Sequence, residues 1–163
     1  MKKFLVVLVI ITLVVLIGIL VSYILYVLEV SSLQDVVLKF VRASQVRDIE
    51  ILRRIAGGKI FAGIFSGESG VNEYFLEELS RQFPRSSQLK FLKVYRSSEL
   101  SQDEKRKYGF LSWKVNLLVV NENDQYVLGY SFYVSRFSEI ESSGKEVIYY
   151  RIIDFVKIGE IIF

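Results

Sequence analysis

The chain has no cysteine and no histidine, and only one proline, one methionine and one tryptophan among its 163 residues. Without cysteine there can be no disulfide, no thiol nucleophile and no lipobox-type lipid anchor. The missing histidine also removes a Ser-His triad and a zinc site of the ordinary ligand type. Carboxylate chemistry survives these exclusions. An excess of one charge is lacking too: setting Lys2 and Lys3 aside leaves 19 basic against 18 acidic residues. That balance is not the footprint of a nucleic-acid binder. The composition points to no nucleic-acid partner, no cofactor and no metal.

Apolar length is what the sequence has in excess. From Phe4 to Leu28 run 25 residues without a charge. At about 1.5 Å per residue such a helix extends about 37 Å, enough to cross a hydrocarbon core of about 30 Å with some tilt. A cleavable secretory signal has a shorter apolar part, about 7 to 15 residues, and a small-x-small cleavage site. Ser22-Tyr23-Ile24 and Glu29-Val30-Ser31-Ser32 supply no such site, so an uncleaved signal-anchor is expected. Lys2 and Lys3 precede the run, whereas Glu29 and Asp35 are the first charges after it, which places the amino end in the cytoplasm. Lys39, Arg42 and Arg47 weaken that bias. Tyr23 and Tyr26 suit the outer headgroup layer and set the boundary near Leu28, so Lys2, Lys3, Phe4, Tyr23, Tyr26 and Leu28 form the anchoring set. The expected organisation is an anchor at 1–30 and one extracytoplasmic domain at 31–163, with the lipid bilayer as first partner.

The soluble part reads as helices followed by strands, the order of an α+β domain. Two to three helices should cover one face of a curved antiparallel sheet of about four strands. Ser32-Leu33-Gln34-Asp35 has the form of a capping box, so a helix is expected to start there. Leu33, Val36, Val37, Phe40 and Val41 form its apolar stripe, and Ile49, Leu52, Ile55 and Ala56 form a second after a break near Gln45 to Asp48. The glycine-rich stretch from Gly57 to Gly70 lacks the Ser or Thr of a phosphate loop and carries Arg53 where the leading glycine belongs. It reads as a short strand or helical turn between bends. A third helix should run from Val71 to Phe83 and stop at Pro84.

Beyond Pro84 the apolar period changes to 2. Strands are expected at Leu89 to Arg96, Phe110 to Val120, Tyr126 to Phe137 and Val147 to Ile158, with a tight turn at Asn121 to Gln125. Leu111, Trp113, Val115, Leu117 and Val119 share one face, as do Tyr126, Leu128, Tyr130, Phe132 and Val134. On the last strand the even positions Ile148, Tyr150, Ile152, Val156 and Ile158 should face the helices. The polar stretch Ser97 to Tyr108 reads as a solvated loop or frayed turn.

Among the acids, Glu73, Glu77 and Glu78 lie on the third helix, and Glu77 stands four residues before Arg81, the spacing of a solvent-facing ion pair. Asp154 interrupts the even-numbered apolar face of the last strand. Two readings follow. Either it points into a cavity between sheet and helices, with Tyr130 and Tyr150 as further pocket candidates, or a one-residue bulge turns it to solvent. The apolar tail Ile161-Ile162-Phe163 either completes the sheet or docks on a partner.

Phe40-Val41-Arg42-Ala43, then Arg47-Asp48-Ile49-Glu50-Ile51-Leu52, a glycine-bounded break, a third helix and long antiparallel strands together resemble the NTF2-like cone-shaped α+β fold over Ser32 to Ile158. The resemblance implies a membrane-tethered extracytoplasmic domain or a scaffold subunit. It also implies a pocket enzyme in some members, but neither their acid-bearing pocket nor the histidine of some can be carried over to this chain. Leu52 to Gly70 resembles a segment of small anchored cytochrome-oxidase assembly proteins. Pilin-like proteins share the anchor-then-sheet plan, but no Glu interrupts Phe4 to Leu28. The expected function is a non-enzymatic binding or scaffold protein of the cell envelope, with other envelope proteins or further copies of itself as partners. The alternative is a pocket binder or isomerase-like enzyme for a small apolar molecule.

Overall fold

A computed structural model describes residues 2–66, 70–121 and 126–162. The chain divides into two compact units, Met1–Ser32 and Leu33–Phe163. Helix α1 spans Lys2–Val46 and contributes to both. In the first unit the apolar side chains from Val6 to Leu28 are exposed all round. Thr12 and Ser22 donate their hydroxyls to Leu8 O and Gly18 O, each at 2.9 Å. A helix that satisfies its own hydroxyls in this way leaves few polar groups for a hydrocarbon surrounding to desolvate.

The expected helix start at Ser32 is corrected by the structure, because α1 passes through it without interruption. A capping side chain is useful only where backbone amides lack a preceding turn; here the preceding turn supplies their acceptors. The Ser32 hydroxyl instead donates to Leu28 O at 2.9 Å, and Asp35 pairs with Lys39 at 2.6 Å. The expected break does occur. Arg47 takes a positive φ of 56°, and Asp48 N returns to Ala43 O at 2.9 Å, a Schellman-type stop. Asp48 then caps α2 (Ile49–Ile55) by accepting from Ile51 N at 3.0 Å.

The glycine-rich stretch forms α3 (Gly58–Ile64), followed by α4 (Glu73–Gln82), whose cap Asn72 accepts from Phe75 N at 3.1 Å. The expected Glu77–Arg81 pair is present at 2.6 Å on its exposed side. The segment expected as a solvated loop or frayed helical turn carries α5 (Gln102–Tyr108). Ser101 and Glu104 satisfy each other's backbone amides there in a reciprocal capping box.

Strands β1 (Gln88–Tyr95), β2 (Ser112–Asn121), β3 (Tyr126–Ile140) and β4 (Glu146–Ile162) form an antiparallel meander in the order β1-β2-β3-β4. The fold is therefore α+β, as the change of apolar period requires. Asn121 pairs with Tyr126 across the β2–β3 connection, whose expected turn at 122–125 lies outside the described residues. Trp113, Val115, Leu117 and Val119 meet Val134, Phe132, Tyr130 and Leu128 in register on the buried face. Against them pack Leu33, Val37, Phe40 and Val41 of α1, Leu52 of α2, Ile60 and Ile64 of α3, and Leu76 and Leu79 of α4. At the centre Phe40, Phe83, Tyr130, Phe132 and Phe155 lie within ring-centroid distances of 5.1 to 6.3 Å. Aromatic contacts of this kind add about 0.5–1.5 kcal/mol each beyond area burial.

The regular alternation expected of the last strand is corrected by two bulges. Val134 pairs with Ile152 but Tyr133 pairs with Asp154, so Ile153 is an extra residue; Ile158 is likewise extra between Lys157 and Gly159. An added residue reverses the faces beyond it. Ile152 is buried and Phe155 joins the core aromatics, whereas Val156 and Ile158 are exposed, as is Ile148 on the free hairpin.

Candidate functional site

The bulge at Ile153 has a local cause. Gly57 N donates to Ile152 O at 2.9 Å, and a Cβ built on Gly57 or Gly58 would lie 3.2 Å from Arg151 Cβ or 3.1 Å from Ile153 O. Gly58 also has a positive φ of 52°. The two glycines let the α2–α3 junction press against the edge of β4, which is the close backbone approach that glycine permits.

Asp154, immediately after the bulge, is thereby turned away from the helix layer to the face that carries Tyr133. The bulge reading of this residue is the one realised, although its side chain stays only 19% exposed. Its Oδ2 accepts from the Tyr108 hydroxyl at 3.0 Å and lies 3.5 Å from Lys107 Nζ. The Tyr108 ring stacks on Tyr133 at 3.7 Å. Tyr133 in turn donates to Glu104 Oε1 at 2.9 Å, which is 2.8 Å from Lys114 Nζ. The result is one connected cluster: Lys107, Asp154, Tyr108, Tyr133, Glu104 and Lys114, clamping α5 to the outer face of the sheet.

The electrostatics follow from this geometry. Partial burial pushes the Glu104 carboxyl up, but hydrogen bonds from Lys114, the Ser101 backbone and Tyr133 outweigh it and hold the group at about 2. Burial, then the Glu104 carboxylate, pushes the Tyr133 phenol above the usual range. Tyr108 moves upward as well, by burial first, with Lys107 opposing and Asp154 assisting. The cluster thus holds the Glu104 carboxylate charged and the two phenols protonated, a structural arrangement rather than a poised acid/base pair. Two clefts border Asp154, of about 410 and 460 Å³, and Lys59 lines both.

The other sequence candidates are not brought together with Asp154. Tyr130 is a core residue on the opposite face, and its hydroxyl donates to Gln82 O at 3.3 Å. Tyr150 packs in a T-shaped contact with Trp113, ring centroids 5.5 Å apart. The centre of the helix–sheet layer is filled by the aromatic cluster and its aliphatic surround, and the cleft of about 460 Å³ opens at its edge, between Ile60 of α3, Phe75 and Gln82 of α4 and Asp154 to Lys157 of β4. In the anchoring set, Tyr23, Tyr26 and Leu28 lie on α1 with exposed side chains; Lys2, Lys3 and Phe4 are helical, and their side chains lie outside the described residues. The backbones of Ile161 and Ile162 complete β4 by pairing with Val127 and Tyr126, and Phe163 lies outside the described residues.

Sequence reasoning missed the Glu104 end of the cluster. The signal was available in Ser101-Gln102-Asp103-Glu104, a capping box of the usual spacing. Among the described residues one helix, near the amino terminus, is long and apolar enough to cross a membrane. No protein-family model, curated protein or solved structure matches this chain.

Proposed function

We propose that the protein is a single-pass domain of the cell envelope that binds or scaffolds other proteins, or further copies of itself, without a catalytic step. The observation that carries this reading is the stretch from Val6 to Leu28, whose apolar side chains are exposed on every side of the helix among the described residues. Burying that area in lipid is the condition under which such a helix is stable. The 25-residue apolar run favours an uncleaved anchor, and the basic Lys2 and Lys3 favour an amino end in the cytoplasm with residues 31–163 outside. Helices followed by a four-stranded antiparallel meander support the NTF2-like resemblance. The filled centre of the helix–sheet layer favours work done at the surface over a pocket enzyme.

Protease protection of intact membranes, followed by cross-linking of the anchored full-length chain, tests the reading. Adducts with envelope proteins or with a second copy are expected, and they should diminish when Ile161, Ile162 and Phe163 are replaced by serine. A chain that is protected on the wrong side, or that cross-links to nothing, overturns the proposal.

A further inference from the structure

We infer that the Phe110–Leu111 loop is a second membrane contact, which lays the soluble unit against the anionic headgroup layer. Phe110 and Leu111 are adjacent and are 73% and 65% exposed. They are displayed on a held turn rather than a loose one. Gly109 closes α5 with a φ of 89°, the Ser97 hydroxyl donates to Phe110 O, and Arg136 N donates to Leu111 O at 3.3 Å.

The charges beside this pair have the sign that lipid phosphates require. Arg106 and Lys107 form the last turn of α5, and Arg136 stands on the strand that holds Leu111. Arg106 is 81% exposed and meets Asp103 only at 4.0 Å. Lys107 is shared with Asp154. Two apolar side chains flanked by cations match a surface with a greasy interior and an anionic rim. The hairpin tip, where Ile140 is also exposed, carries Glu139, Glu141 and Glu146 against the single Lys145 and does not fit.

The path of the chain within the soluble unit points to the same end. Gln45 contacts Pro84 O and accepts from Arg85, just ahead of β1, whereas Phe40 lies on Phe132 and Phe155 midway along the sheet. Traced back to Leu33, the helix therefore heads for the end at which β2 begins, and Phe110 and Leu111 immediately precede β2. The inference rests on the reading that the apolar run spans a bilayer. Such a span holds the soluble unit at the membrane and so keeps the loop at high effective concentration near headgroups.

The absence of native cysteine makes the test direct. Full-length Leu111→Cys carries an environment-sensitive fluorophore and is reconstituted in phosphatidylcholine vesicles, with or without phosphatidylglycerol, containing a quencher on the acyl chains. Lys90→Cys on β1 serves as the comparison. Quenching several-fold stronger at 111 than at 90, in the anionic vesicles, is expected. With the label kept at 111, Arg106→Gln should weaken docking about fivefold and Phe110→Ser at least as much. Equal quenching at both positions in protein that floats with the vesicles overturns the docking and leaves the span intact. Protein that does not float overturns the span and the inference with it. Quenching that follows protein density rather than phosphatidylglycerol assigns the loop to a second copy and also overturns it.

Discussion

Replacing Glu104 by Gln should cost stability at neutral pH and almost nothing in acid. The carboxyl is held at about 2 against an ordinary 4.5. A depression of that size is worth at most about 3 kcal/mol, since each pKa unit is worth about 1.4 kcal/mol. The side chain is 20% exposed. Water therefore screens part of the interaction with Lys114, and about 1–2 kcal/mol is the expected loss. Because the folded-state value is lowered, the stabilisation is complete above the unfolded-state pKa and fades as pH falls from about 4.5 towards 2. The full-length chain in detergent, unfolded with urea and followed by the fluorescence of its one tryptophan, buried Trp113, reports this directly. Parent and Glu104→Gln should differ by about 1–2 kcal/mol at pH 7 and converge near pH 2. A gap of equal size at both pH values would refute the ionic account of the α5 clamp.

Three further outcomes are expected of the same unfolding assay. Gly63→Ala should destabilise by about 1–3 kcal/mol, because its Cβ would stand 2.6 Å from the Phe75 ring and force α3 and α4 apart; an unchanged midpoint would mean that Phe75 can swing away. Phe83→Ala should cost about 3–5 kcal/mol by opening a cavity at the centre of the aromatic cluster. Ser44→Ala runs the other way: the buried hydroxyl has no hydrogen-bond partner among the described residues. Its removal should be neutral or stabilising by up to about 1–2 kcal/mol.

The elements that could be read from the sequence are those with long periodic runs. The strands were legible within one to four residues because alternation over β2 and β3 matches a sheet with one buried face. Two features were not legible, for different reasons. The Ser32 capping box was over-read because a local motif cannot tell whether a helix already precedes it, and α1 does. The facing of Asp154 depended on register: one extra residue at Ile153, seated against Gly57 and Gly58, decides which side it takes. The glycine pair and the stray acid were both visible in the sequence, about a hundred residues apart, but their contact is tertiary. The place of Tyr130 depended on tertiary packing in the same way. A tyrosine on an apolar strand face reads equally as pocket or core, and here the aromatic packing of Phe83 and Phe132 makes it core.

The anchor is tested most directly by washing membranes from cells expressing the full chain with alkaline carbonate and measuring the intact mass of what stays behind. The account predicts the whole polypeptide, Lys2 and Lys3 included, in the washed membrane fraction. A soluble species that starts beyond Ser31 would contradict it.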